Sequence, residues 1–377
     1  MNRKEKIKIC HLSSAHSNTD RRILEAECTS LAKAGYEVYF IGRGQSRIQN
    51  GVKVIGLTKT PNNRIERIFH TTRAVYKKAL KLDCDIYHIH DPELLLWAIK
   101  LKKHGKKVIF DSHEFYVKQI PEKDYFPKPL MKILGKIYGM YEDYIIKQIN
   151  GVIFPCTIEG KNPYFGKCRN TAIVNNTPIM SELYEKYDSS IEKYEKSICC
   201  IGALSHSRGI TYLIKAAYLA GCTVYLGGRF FPDDYEKMLE KLPEYTCVKY
   251  MGYLDRNQVG QLLSKCMICV SNTLSIGQYN LCDNLPTKVC ESMALSIPII
   301  ISDSPYVRKI MSQYQFGRIV DPMNIEDIAN AISYILEHPD EARKMGEEGR
   351  RAVREKFNWN VDEEHLLTFY KDIINEN

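Results

Sequence analysis

Short runs rich in β-branched and apolar residues alternate along the chain with longer stretches whose apolar positions recur every three to four residues. The first class predicts strands at 6–12, 37–41, 53–57, 85–89, 107–110 and 152–154. Between them, 21–33, 65–80 and 93–103 carry the helical spacing. A polar stretch at 176–196 breaks the pattern and predicts a linker. Alternation then restarts, with strands at 197–201, 223–226, 248–251, 267–270, 298–301 and 317–320. Helices are expected at 210–219, 234–242, 257–265 and 287–294. Strand–helix alternation of this kind predicts doubly wound parallel sheets, because parallel neighbours need a crossover helix. Two such sets predict two Rossmann-like domains, at 1–178 and 197–357, with a terminal helix at 358–377. Ligands of such sheets bind beyond the carboxyl ends of the strands.

Composition changes little of this. At 377 residues the chain exceeds what one core usually supports, and 44% hydrophobic with 26% charged residues is ordinary for a globular protein. The N-terminus has no apolar h-region and no run approaches a membrane span, so a cytoplasmic protein is expected. The thirteen cysteines lie scattered in apolar runs, which predicts buried free thiols in a reducing compartment. Cys266-Met-Ile-Cys269 has no second pair, so no metal site is expected from it.

Charge is informative once divided. Residues 1–180 hold 31 Lys+Arg against 17 Asp+Glu, a surplus of 14, whereas 181–377 hold 22 against 28, a deficit of 6. The first half therefore suits an anionic partner. On 64–81, Arg64, Arg67, Lys78 and Lys81 oppose Ile65, Ile68, Phe69, Val75 and Leu80. Lys128, Lys132 and Lys136 repeat at i, i+4 and i+8 opposite Leu130, Ile133, Leu134 and Ile137. Such faces nominate an anionic membrane surface and a peripheral placement. No nucleic-acid module or interleaved aromatics accompany them, so nucleic acid is not expected.

The richest cluster of chemistry is Asp283-Asn-Leu-Pro-Thr-Lys-Val-Cys-Glu291, followed by SMALSIPIIISD. A loop entering a helix at Thr287 would aim N–H groups and a positive dipole end at an anion, with Lys288 adding formal charge. This segment resembles the acid-x7-Glu motif of the retaining glycosyltransferases of family 4, which have the GT-B fold. The resemblance implies that Asp283 holds donor sugar hydroxyls and Glu291 the ribose. Backbone at Asn284, Leu285 and Thr287, with Lys288, would meet the diphosphate. The first acid is usually Glu, so Asp283 is one methylene short.

Ile201-Gly202-Ala-Leu-Ser-His-Ser-Arg208-Gly resembles the family's Gly-Arg-Leu-x-x-x-Lys-Gly element. Arg208 takes the Lys position and Ala203 the Arg position, so half the diphosphate clamp is replaced. Gly202, and Gly252-Tyr253 near the base, join the expected donor site. In the first domain, Asp111-Ser-His113-Glu114 resembles the strand-end His that sits at the sugar. Asp91 and Glu114 are expected on the acceptor side, with Asp91 also readable as a helix cap. The first loop, 13–22, lacks the paired glycines usual in relatives. The resemblance implies a metal-independent enzyme without a cofactor, using His113, Arg208 and Asp283. It would move a hexose from a UDP- or GDP-sugar, with retention, to a lipid-linked or oligosaccharide acceptor of cell-surface polysaccharide synthesis. A nucleotide-sugar epimerase and a catalytically silent nucleotide-sugar binder are the rival readings. A nicotinamide dehydrogenase is disfavoured because no GxGxxG follows the first strand.

Overall fold

The computed structural model describes residues 6–59, 61–122, 126–180, 191–275 and 282–376, and divides into two compact units. The first contains Met1–Asn176 and Asn360–Asn377, the second Thr177–Trp359. Residues 181–190 of the expected linker lie outside the described residues.

In the first unit the apolar runs become β1 (Lys8–Ser17), β2 (Glu37–Arg43), β3 (Arg47–Gln49), β4 (Val52–Leu57), β5 (Ile86–Ile89), β6 (Lys107–Asp111), β7 (Gly151–Phe154) and β8 (Asn170–Ile173). They form one sheet in the order β3-β4-β2-β1-β5-β6-β7-β8, parallel except for the β3–β4 hairpin. Strand β5 is buried along its whole length, as expected for a strand covered on both faces. The 21–33 segment is a π-helix, Arg21–Cys28, that continues as the α-helix Thr29–Lys33. Asp20 caps it by accepting from the Ile23 amide.

From Asn360 onward the terminal helix Trp359–Asn375 belongs to this unit. It buries Phe369, Tyr370 and Ile373. Gly151 admits it, since a Cβ there would meet the Phe369 ring at 2.5 Å. Lys107 Nζ, 2.7 Å from the Ile373 carbonyl and 2.9 Å from that of Ile374, closes its C-terminal end.

The second unit has β9 (Ser197–Ile201), β10 (Thr223–Gly227), β11 (Val248–Tyr250), β12 (Ile268–Ser271), β13 (Ile299–Ser302) and β14 (Gly317–Val320). Their order is β11-β10-β9-β12-β13-β14 and all pairings are parallel. Read along the chain this is 3-2-1-4-5-6, the doubly wound dinucleotide-type order. The winding reverses between β9 and β12, so the ligand crevice is expected at their carboxyl ends. One face of the sheet is covered by a core including Leu263, Met293 and Phe316, the other by one including Ile214, Leu239 and Ile332.

No disulfide joins the thirteen cysteines, and all but Cys247 and Cys282 are buried. Among the described residues no helix is long and apolar enough to cross a membrane.

Candidate functional site

Glycines let the second unit's strand ends come together. Gly202 donates its N–H to the Gly227 carbonyl, and Gly228 donates to Gly252. Gly228 has φ +139°, and a Cβ there would meet the Gly202 carbonyl oxygen at 1.8 Å, so no other residue fits. Gly202 and Gly252 are thus backbone neighbours of one turn between β9, β10 and β11. Tyr253 stands exposed beside it, with the Arg229 guanidinium 4.9 Å from its ring.

Arg208 ends the short 3₁₀ turn His206–Arg208 after β9 and donates to Thr273 Oγ1 just beyond β12, at 3.3 Å. It therefore bridges the two strands where the winding reverses. Gly209 makes the crossing possible. At φ +64° it starts the helix Ile210–Leu219, and a Cβ would meet the Asn272 carbonyl at 2.2 Å. Buried Asn272 donates from Nδ2 to the carbonyls of Gly209, at 3.2 Å, and Pro322, at 3.0 Å. Ala203 is exposed and supplies no charge.

The helix Thr287–Ala294 forms as expected, with Pro286 at its N-cap and no side-chain cap among the described residues. Glu291 is only 2% exposed, an acidic side chain set against an apolar core. Lys288 Nζ donates to its Oε2 at 2.7 Å, and Arg256 Nη1 lies 3.7 Å from its Oε1. Lys288 is therefore engaged with Glu291 in this state. Leu285 is buried under the turn, Thr287 is half-buried and Asn284 is exposed. Asp283 is half-buried in the two-residue strand Cys282–Asp283.

Arg256 was missed by sequence reasoning. Its signal is a cation at the first position of a helix, where the dipole disfavours one. That helix, Arg256–Lys265, starts at a capping box of Asp255 and Gln258.

In the first unit Asp91 is buried, and its carboxylate is taken up by the first loop. Its Oδ2 accepts from Ser13 Oγ (2.8 Å), Ser14 N (2.6 Å) and Ala15 N (3.0 Å). These bonds hold Asp91 below the usual carboxylate range. Burial opposes that shift, and His16 and the loop donors outweigh it. The loop's anion-binding amides thus already hold an internal anion, which explains how it dispenses with glycines. Asp91 precedes the 3₁₀ turn Pro92–Leu94 but makes no side-chain cap to it.

His113 follows β6 with its side chain 15% exposed, and its Nε2 lies 3.2 Å from Asp111 Oδ2. Asp111 is fully buried and accepts two bonds of 3.1 Å from Arg22, while Glu27 lies 3.0 Å from the same guanidinium. Glu114 is half-buried, and its carbonyl accepts from Ser112 Oγ. His11, Glu27, His88 and His90 bring ligand atoms within 4.8 Å of one another. A cation fits them poorly, because Arg22 already stands beside Glu27 and the facing nitrogens of His11 and His90 bond each other at 2.9 Å. Neither Arg22 nor this cluster was foreseen, since charged residues inside an apolar helical pattern read as its solvated face.

The basic helices depart from expectation. In Lys128–Ile146 the buried positions include Met131, Gly135, Ile145 and Ile146. Gly135 and Gly139 receive Pro121 and Val117 of the helix Tyr116–Glu122. Leu130, Ile133, Leu134 and Ile137 are exposed, as are Met140 and Tyr144. The lysines and the apolar residues consequently share the solvent side. In the 64–81 segment Val75 is buried, but Ile65 and Phe69 are exposed, and Arg67 donates to Glu93 at 2.6 Å.

Comparison with known proteins agrees with the fold. Residues 185–352 match the sequence model for glycosyl transferases group 1, and residues 22–161 that for Glycosyltransferase Family 4. EpsD of Bacillus subtilis, named as a glycosyltransferase, is 24% identical over 305 residues, which is 74% of this chain and 76% of that protein. Sucrose-phosphate synthase from Thermosynechococcus elongatus superposes with a TM-score of 0.76 at 18% identity, covering 98% of this chain and 99% of that one. HepE of Anabaena, in complex with UDP and glucose, superposes with a TM-score of 0.70 at 14% identity, covering 97% and 100%. Between them the two sequence models span most of both units, and the chain belongs to the group 1 and family 4 glycosyltransferases of GT-B fold.

Proposed function

We propose that the protein transfers a hexose from a UDP- or GDP-sugar to a lipid-linked or oligosaccharide acceptor, without a metal cofactor and with retention of anomeric configuration. The observation that carries this is the buried Glu291 carboxylate, one turn into its helix and flanked by Lys288 and Arg256. A carboxylate kept dry beside two cations suits paired ribose hydroxyls, since charged acceptors make the stronger bonds. The helix start, Lys288 and Arg208 then supply what a departing diphosphate needs, which is positive charge placed before the charge develops. His113 and Asp283 are proposed at the transferred sugar. HepE was crystallised with UDP and glucose, which supports a UDP-type donor.

The acceptor reading rests on the Lys128–Ile146 helix. Basic and large apolar side chains exposed on one helix suit an anionic bilayer, with cations at the headgroups and Ile133, Ile137 and Met140 below them. A lipid-linked intermediate of polysaccharide synthesis would be met there, with the protein peripheral at the inner face.

The test is nucleoside diphosphate release from a UDP- and GDP-hexose panel after exhaustive chelation, with the product anomer read by NMR. Release should persist and the donor's anomeric configuration be kept. Loss of turnover that Mg²⁺ or Mn²⁺ restores would overturn the metal-independent reading.

A further inference from the structure

Five aromatic side chains and one carboxylate run as a chain through the first unit. Tyr370 of the terminal helix lies 2.7 Å from His88 Nδ1 and 3.4 Å from His11 Nε2. His11 Nδ1 is 2.9 Å from His90 Nε2. His90 Nδ1 is 3.3 Å from Asp111 Oδ2 and 3.1 Å from His113 Nε2, which is itself 3.2 Å from the same oxygen. Only His113 reaches solvent; His11, His88, His90 and Asp111 are fully buried.

Each imidazole can carry its proton on either nitrogen, so the chain has two consistent directions. In one, every donor points toward Asp111. His90 Nδ1–H and His113 Nε2–H, 3.1 Å apart, both donate to Asp111 Oδ2 rather than to each other, His11 Nδ1–H donates to His90, the Tyr370 hydroxyl to His11, and His88 Nδ1–H to Tyr370. In the other, the tautomers of His11, His88 and His90 are reversed. Two observations choose between them. Reversal would turn a bare His90 lone pair toward a carboxylate at 3.3 Å, leaving it to share the His113 Nε2–H, 3.1 Å away, with Asp111. It would also place a proton on His88 Nε2, a buried atom with no hydrogen-bond partner among the described residues. An orphaned buried donor costs roughly 1–3 kcal/mol, and orphaned donors are rarer than under-satisfied acceptors.

The neutral state of the chain agrees with its surroundings. Burial drives the imidazoles of His11 and His88 well below their ordinary range and pushes His90 down to about 4. Burial works against the charge of Asp111, but Arg22 outweighs it and keeps the carboxylate ionised. Glu27 is pushed up, by burial first and then by Asp111, with the Arg22 guanidinium 3.0 Å away opposing the shift.

We infer that Asp111, clamped by Arg22, is the end point of a one-way donor chain that locks His113 with its proton on Nε2, leaving Nδ1 as the nitrogen offered to substrate. Asp111, Arg22 and His90 are then positioning residues, and the logic is that of a carboxylate fixing the tautomer of a working histidine. Tyr370 extends the chain to the terminal helix but lies upstream of the sink, so it does not set His113. The functional half of this inference rests on the proposed reading of His113 as a sugar-side group.

The test is ¹⁵N–¹H long-range NMR on the histidine-labelled full chain, where the two ring nitrogens report the tautomer directly. The wild type should show Nδ1–H for His11, His88 and His90, and Nε2–H for His113. Any other assignment for His90 or His113 overturns the inference, and it needs no variant and no activity. In Asp111→Asn, Arg22 takes the amide oxygen and the NH₂ faces the histidines, so His113 should switch to Nδ1–H. Turnover should fall by a factor on the order of 10² or more while donor affinity holds. Tyr370→Phe should release the tautomer of His88 alone and leave those of His11, His90 and His113 unchanged. A switch at His113 in Tyr370→Phe would overturn the sink assignment. If the tautomers are as stated but His113→Ala retains full turnover, the proposed role of His113 fails while the chain stands.

Discussion

Lys288 Nζ and Glu291 Oε2 are 2.7 Å apart on consecutive turns of one helix, so the cation expected at the diphosphate and the carboxylate expected at the ribose are joined before any ligand arrives. The pair gives a 2% exposed carboxylate its counter-charge in an apolar surround. It also gives donor binding a definite consequence. On the proposed reading the lysine turns toward phosphate as hydroxyls replace it on Glu291.

The two residues should therefore separate by ligand. Glu291→Ala should weaken nucleoside diphosphate binding by roughly 1.5–3 kcal/mol, the range for bonds to a charged group. Lys288→Met should lower affinity for the diphosphate and leave the bare nucleoside almost unaffected. Calorimetry with both ligands measures this. Equal losses for nucleoside and diphosphate would remove Lys288 from the phosphates, and unchanged affinity in Glu291→Ala would remove Glu291 from the site.

A second expectation concerns the membrane. Binding to vesicles containing phosphatidylserine should be strong at low salt and fall steeply as salt rises, because the Debye length is only about 10 Å at 0.1 M. Charge reversal at Lys132 and Lys136 should weaken it. Ile133→Ser with Ile137→Ser should weaken it as well, with less dependence on salt. Neither change should alter turnover on a short soluble acceptor. Sedimentation with vesicles decides it, and a wild type that ignores them at low salt would make the acceptor soluble.

Glu142 gives a pH expectation. Burial pushes its carboxyl up to about 7 against bonds from Tyr164 and Tyr138. The folded value lies above the unfolded one, so its contribution to stability is fully present below about pH 4.5 and is lost as pH rises through 7. Glu142→Gln keeps the shape and removes the titration. Its stability relative to the wild type should rise by about 3 kcal/mol between roughly pH 4.5 and 8, since each tenfold difference in proton affinity between the folded and unfolded chain is worth about 1.4 kcal/mol. Urea unfolding of the two proteins across that range checks it, and a constant difference would show that Glu142 titrates as it does in the unfolded chain. The buried imidazoles cancel in the comparison.

The sheets were legible because their strands are short β-branched runs between helical patterns. Ser197–Ile201, Gly317–Val320 and the helix Thr287–Ala294 appear with the expected bounds. Arg47–Gln49 was not visible, since three mostly polar residues at a sheet edge carry no period, and Asn170–Ile173 is nearly as short. Around the candidate site, Arg208 and Glu291 could be nominated from the resemblance of their segments to the family's motifs. Arg22, Glu27 and Asp111 could not be joined, because a buried ion pair from segments 89 residues apart leaves no local mark. The Lys128–Ile146 helix misled for a different reason. Its core contact is made partly by Gly135 and Gly139, so the small residues face inward and the large apolar ones face out.

Transfer itself, the splitting of a nucleotide sugar and the movement of its sugar, is measured most directly by mass balance. Each UDP- and GDP-hexose is incubated with and without lipid-linked and oligosaccharide acceptors, and nucleotide and sugar are both counted. At least one donor should release nucleoside diphosphate with the sugar recovered on acceptor in equal amount, and Glu291→Ala should reduce that release. A donor that is bound but recovered intact would make the protein a silent binder. One recovered as its epimer without acceptor would make it an epimerase, and either result would contradict transfer.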